Sequence, residues 1–329
     1  MPRSLFDIDG ARLQLAGHET FPLRYGWLKK AYDAVAEAIK QADDPPLNVF
    51  ADESAIARFG VGRNMVLSMR HWGLASGVLS LDENGPSRSS KVVTGPLGDF
   101  LFGSENDPHL EHPASLWLIH WRLASAPGRA GAWHWAFNEF NEPTFDRDLM
   151  AQRLSRRCAE LLKAGRLDRV ASEVSLKRDV ECLVRTYYAA VATGRRAPED
   201  SIESPLAELG LIQRAALGDY FRFRRGAKPF LPDEVFLFAL VDFWLQNFPG
   251  RKSFSVDFLT YERGSPGQVF LLDEDSVAER LARLEALTDA ALTWDESSGM
   301  RQIYAQRLEE IDPYVVLGTL YRRDMRLAA

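Results

Sequence analysis

Apolar residues recur at three- and four-residue spacing from Tyr25 to Gln41, through Leu28, Ala31, Tyr32, Val35, Ala38 and Ile39, and Asp43-Asp-Pro-Pro46 ends the run. That spacing predicts a helix with one apolar face. A second run, Asp52–Gly60, is separated by Val61-Gly-Arg-Asn64 from a third, Met65–Leu79, so the chain reads as helix, tight turn, helix. Gly60 and Gly62 suit a sharp corner because glycine adopts positive φ without steric cost, and Asn64 is placed to cap the next helix. On that helix Met65, Met69, Trp72 and Leu74 are expected to face a core, with Arg63, Asn64, Ser68, Arg70 and His71 toward its start or outer face. Two short strands, Gly77–Leu81 and Ser89–Thr94, are expected around Asn84-Gly85, a pair favoured in hairpin turns.

From His109 to Phe145 the chain is rich in aromatics, with Trp117, Trp121, Trp133 and Trp135 on two helices joined by the loop Ala126–Gly131. Long basic helices follow between Asp146 and Ala192, and Gly194–Asp200 marks a boundary. The last third reads as helices over Asp233–Phe248, Ser255–Tyr261 and Asp275–Thr288, a hairpin over Ala291–Tyr304 and a closing helix over Tyr314–Arg323. The expected fold is mostly α with a minor α+β part: an N-terminal winged helix-turn-helix over 1–105, a helical middle over 106–200 and a C-terminal winged-helix-like unit over 201–329. In the winged-helix order the second helix of the pair enters the DNA major groove and the wing touches the backbone.

Composition narrows the class. A chain of 329 residues exceeds what one core usually supports, and 46% hydrophobic with 26% charged residues excludes disordered and low-complexity classes. The longest apolar stretch, Val235–Phe248, is broken by Asp242 and Gln246, so no membrane span is expected. Acids at Asp7 and Asp9 replace the apolar run of a signal peptide, and a cytoplasmic address is expected. Cys158 and Cys182 are expected to be buried thiols. A net charge of −6 argues against coating nucleic acid by bulk electrostatics and puts the weight on local basic patches.

Phosphodiester cleavage calls for carboxylates or His that hold Mg²⁺ or Mn²⁺ and activate water. His18-Glu19 offers a metal or base pair, with Arg24 and Tyr25 as a phosphate clamp, and Glu139 is a further carboxylate. The competing reading makes Glu19 and Thr20 helix caps and His18 a buried residue. Asp179 and Glu181 stand two apart and therefore point to different helix faces. His109-Leu-Glu-His112 with His120 has no cysteine partner, and capping or solvated histidines explain the spacing. The four tryptophans are expected in the core rather than stacked on bases. There is no Pro-Asp…Glu-x-Lys pattern, no His-Asn-His loop and no Walker-type phosphate loop. A DNA-contacting face is better supported, since Arg58, Arg63 and Arg70 have no acid between Gly60 and Ser80, while Arg88 and Lys91 flank the expected wing. Arg63, Asn64, Ser68, Arg70 and His71 are its groove candidates; the competing use of such a face is protein docking.

Several blocks together resemble the SspB-like proteins of bacterial DNA phosphorothioation and phage-defence clusters. They include Gly17-His-Glu-Thr-Phe-Pro-Leu-Arg-Tyr-Gly-Trp-Leu-Lys-Lys30, Gly60-Val-Gly-Arg-Asn-Met-Val-Leu-Ser-Met-Arg-His-Trp72, Pro113-Ala-Ser-Leu-Trp-Leu-Ile-His-Trp121, Lys177-Arg-Asp-Val-Glu181 and Trp294-Asp-Glu-Ser-Ser-Gly299. They run from residue 17 to about residue 304. The resemblance implies a DNA-nicking component of single-strand sulfur modification that works beside sulfur-transfer and ATPase subunits. Metal-dependent nicking of one strand of double-stranded DNA is the expected mechanism, with a homodimer left open. The alternatives are a non-catalytic DNA-binding recruitment subunit and a transcription regulator of the same gene cluster.

Overall fold

The computed structural model describes residues 6, 14–41, 49–51, 54–82, 91–167, 171–189, 204–216 and 218–328. The fold is mostly helical. Helix α1 (Trp27–Gln41) buries Trp27, Leu28, Ala31, Tyr32 and Val35 along one stripe, as its spacing predicts, while Ile39 at its end is exposed. Helices α2 (Ser54–Phe59) and α3 (Arg63–Ala75) meet at a corner where Gly60 has φ of 67°. Gly62 departs from the expectation: its φ is −64°, and it rather than Asn64 occupies the cap position of α3. Strands β1 (Leu79–Leu81) and β2 (Val92–Thr94) pair antiparallel, with Ser80 opposite Val93. The expected hairpin tip, including Asn84, Gly85 and Arg88, lies outside the described residues. A short helix α4 (Pro96–Gly98) leads directly into a wide helical turn over Asp99–Gly103.

Helices α5 (Pro113–Ala124) and α6 (Gly131–Asn138) are joined by the expected loop and carry Trp117, Trp121, Trp133 and Trp135, all buried. His112 caps α5, its Nδ1 accepting from Ala114 N–H at 3.1 Å while Nε2 meets Asp324 at 3.0 Å. Helix α7 (Arg147–Lys163), capped by Asp146, packs along α8 (Glu173–Tyr187), and the buried Cys158 and Cys182 come from these two helices. Strands β3 (Ile212–Arg214) and β4 (Phe221–Phe223) form a pair that the sequence pattern did not announce.

In the last third, α9 (Asp233–Asn247) is buried on nearly all sides, with Val235, Leu237, Leu240 and Trp244 among its core residues. Strand β5 (Ser253–Ser255), helices α10 (Val256–Tyr261), α11 (Pro266–Val269) and α12 (Glu274–Leu287), and strands β6 (Leu292–Asp295) and β7 (Gln302–Ala305) follow in order. The hairpin expected over Ala291–Tyr304 is thus present, and β5 joins it in a sheet of order β5-β7-β6. Helix α13 (Pro313–Ala328) lies on α9. Buried apolar side chains from Phe6 to Tyr321 belong to one continuous core. No helix among the described residues is long and apolar enough to cross a membrane.

Candidate functional site

Residues 14–26 run as a strap over α3 and α6. Gln14 N–H donates to Gly128 O and Gly131 N–H returns to Gln14 O, each at 3.1 Å, which ties the strap to the loop before α6. Trp72 Nε1 of α3 donates to Phe21 O at 3.0 Å on the other side. Between these anchors the backbone turns sharply, with positive φ at Gly17 (97°), Glu19 (49°) and Thr20 (69°). That turn sends His18 inward and leaves Glu19 exposed.

His18 Nε2 lies 2.7 Å from Asp179 Oδ1 of α8, and Ala16 N–H donates to both Asp179 oxygens at 3.1 Å. Thr20 N–H donates to His18 Nδ1 at 3.1 Å, so Nδ1 is the acceptor and the ring proton sits on Nε2, donated to Asp179. Trp72, Trp133 and His71 wall the ring at centroid distances of 6.4, 5.7 and 6.0 Å. Glu181, two residues from Asp179, faces outward and pairs with Arg147.

Beside this pair is a group of basic side chains. His71 is buried, and its Nε2 has no partner; burial first, then His18, Arg129 and Arg70, push its pKa down to about 3, so it is neutral. Arg70 and Arg129 are each partly buried, and neither has a carboxylate partner among the described residues. Burial lowers the pKa of both, and for Arg70 the neighbouring Arg129 adds to it.

The remaining candidates separate into exposed and engaged groups. The His18–Glu19 metal pair does not form, because both His18 nitrogens are occupied while Glu19 faces solvent. Glu139 is held by Arg157 at 2.7 Å and lies 3.7 Å from Arg263, an ion-pair setting rather than an open base. Arg24 is buried with its guanidinium 5.5 and 5.4 Å from the Phe21 and Trp27 rings, and Tyr25 donates its hydroxyl to Glu208, so the two do not form an open clamp. On the helix pair, Arg58, Arg63 and Asn64 are exposed and Lys91 is half-buried at the start of β2. Ser68 and His71, expected on the outer face, are instead 0% and 6% exposed. The strap passes over His71 and Trp72, so the fully exposed positions of α3 are Arg63 and Asn64 at its start, while Arg70 is half-buried. Among the described residues, no group of three or more His, Cys, Asp or Glu is arranged to hold a metal ion.

Sequence reasoning missed Asp179 as the partner of His18, 161 residues away, and missed Arg129, which stands in a Gly- and Ala-rich loop with no local pattern around it.

The profile of a family described as protein of unknown function (DUF4007) matches residues 15–321. A crystal structure of magnesium ion-bound SspB superposes with a TM-score of 0.81 at 27% identity, covering 97% of this chain and 91% of that one. A second SspB crystal structure gives a TM-score of 0.77 at 27% identity, covering 94% and 88% of the two chains. No curated protein matches this chain.

Proposed function

Because the chain belongs to the DUF4007 family and shares its fold with SspB along nearly its whole length, we propose that it is the DNA-binding component of a DNA phosphorothioation and phage-defence system. The observation that carries the reading is the corner between α2 and α3, where Arg58, Arg63 and Asn64 are exposed on a chain whose net charge is −6. The order α2, α3, β1, β2 is that of a winged helix, and it presents the start of α3 to a major groove with the strand pair alongside. Guanidiniums there meet phosphates or base edges, and Asn64 suits an adenine edge. Lys91 at the base of the strand pair, with Arg88 outside the described residues, supplies the wing contact. The sulfur-transfer and ATPase subunits of such a system are the protein partners under this reading, and a homodimer fits it.

Metal-dependent nicking is the second reading, favoured by the likeness to SspB, one structure of which holds a magnesium ion. The pair expected to bind that ion here does not fit it, because His18 is committed to Asp179 and Thr20 while Glu19 faces solvent; Glu139, expected as a catalytic carboxylate, is committed to arginines. The DNA-binding reading needs none of them. Incubation of the purified protein with supercoiled plasmid, with and without Mg²⁺ or Mn²⁺, tests both. Retention of the plasmid at low salt that is lost at high salt is the expected result, and conversion to open circle adds nicking. Absence of both refutes the assignment.

A further inference from the structure

We propose that Arg70, His71 and Arg129 form a seat for a phosphate-type oxyanion beside the buried His18–Asp179 pair. The first ground is an imbalance of charge. Several other arginines packed on the core are matched: Arg122 by Asp242, Arg157 and Arg263 by Glu139, and Arg280 by Asp233. Arg225, which lacks an acid, gives its N–H groups to Leu272 O and Gln268 Oε1. Arg70 and Arg129 have neither kind of partner among the described residues, yet stand close enough for Arg129 to act on both Arg70 and His71. Two desolvated cations side by side are stabilised by an anion between them, and a guanidinium pair matches the oxygens of a phosphate in particular.

The second ground is unused hydrogen-bonding capacity at the same place. Arg70 Nε and His71 Nε2 are buried and have no partner, although an Nε–H is a donor and a neutral imidazole supplies one more. The third is construction. The strap fixes the loop carrying Arg129 through the two Gln14 backbone bonds. It also passes so close to His71 that a Cβ on Gly17 would lie 2.7 Å from its Nδ1 and 3.2 Å from Gln14 Nε2. Arg70 and His71 sit on the rigid α3, so the three groups are held by one helix and a doubly anchored loop.

An oxyanion here has two sources, a DNA backbone phosphodiester or a free phosphate. The backbone source rests on the DNA-binding reading above; the seat itself does not. The test follows the ring resonances of His71 in the full-length protein by NMR while inorganic phosphate, and separately a short duplex, is added. Phosphate should shift His71, and Arg129→Gln should weaken that binding about tenfold, the loss of one charge-assisted hydrogen bond, while Arg129→Lys keeps most of it. Arg129 is in a surface loop, and an unchanged thermal unfolding curve for each variant separates loss of the seat from loss of the fold.

If the duplex shifts the same resonances and Arg129→Gln weakens that shift, the anion is a backbone phosphate. If phosphate shifts His71 and the duplex binds without doing so, the seat stands for a free phosphate and the backbone source falls. If the duplex does not bind at all while phosphate still shifts His71, the DNA-binding reading falls and the seat stands. If phosphate leaves His71 unmoved, or moves it equally in wild type and Arg129→Gln, the seat is overturned whatever the duplex does elsewhere.

Discussion

Replacing Asp179 tests whether the strap is held by the bond at its centre. Its carboxylate accepts Ala16 N–H on both oxygens at 3.1 Å and His18 Nε2–H at 2.7 Å, with both side chains 3% exposed or less. Asp179→Ala leaves the buried His18 Nε2–H unpaired, at about 1–3 kcal/mol, and frees the N–H of the exposed Ala16, for a destabilisation of about 2–4 kcal/mol with the cavity included. Asp179→Asn keeps the volume, and an oxygen at the Oδ1 position still reaches both donors, but its NH₂ then faces Ala16 N–H and the charge that His18 Nε2–H meets is lost, a cost of about 1–3 kcal/mol. Denaturant unfolding followed by tryptophan fluorescence reads this directly, because Trp72 and Trp133 pack on the His18 ring. In a double-mutant cycle with His18→Gln the coupling should be about 1–3 kcal/mol, since the two groups share the bond. Both Asp179 variants within about 0.5 kcal/mol of wild type would refute the reasoning. Full stability with loss of DNA cleavage would instead make the pair a chemical dyad.

Three further results are expected. Burial pushes His71 down to about 3 and both His120 and His134 to about 4, so between pH 6.5 and 4 the unfolded chain takes up protons the folded one does not. Their contribution is present above pH 6.5 and lost as pH falls toward 4, by about 3 kcal/mol for each of His120 and His134, and a urea midpoint that stays flat from pH 7 to pH 5 would contradict it. Glu139→Gln should cost about 1–3 kcal/mol, because Arg263 loses its counter-charge and Arg157 loses its nearer one and keeps Glu160, 3.7 Å away, with no selective effect on DNA; a stable variant that fails to cleave would return Glu139 to a chemical role. Gly267→Ala should cost about 1–3 kcal/mol, because the added Cβ would lie 2.4 Å from Leu259 O and 2.5 Å from Thr260 Cα, while Gly128→Ala, with open space around it, serves as the control in thermal unfolding.

The helices were legible because their apolar spacing is strong: α1, the α2–α3 corner and α9 lie within a residue or two of where periodicity puts them. The opposed directions of Asp179 and Glu181 were legible for the same reason. Strands β3, β4 and β5 have three residues each, too short for an alternation to declare itself, whereas the equally short β1 and β2 flank Asn84-Gly85. The outer face assigned to Ser68 and His71 failed for a different cause. A helix pattern shows one apolar stripe, but α3 is covered twice, by α1 and by a strap of irregular backbone that has no period. Tertiary pairing did the rest, since nothing local to His18 names Asp179.

The most direct test of the DNA-binding account is the salt dependence of affinity for a short duplex, measured for wild type, Arg58→Ala and Arg63→Ala. Each arginine that meets a phosphate should reduce the slope of log K against log salt by about 0.9, with weaker binding at every salt concentration. Slopes and affinities unchanged in both variants would show that the α2–α3 corner does not carry the DNA, and would contradict the account.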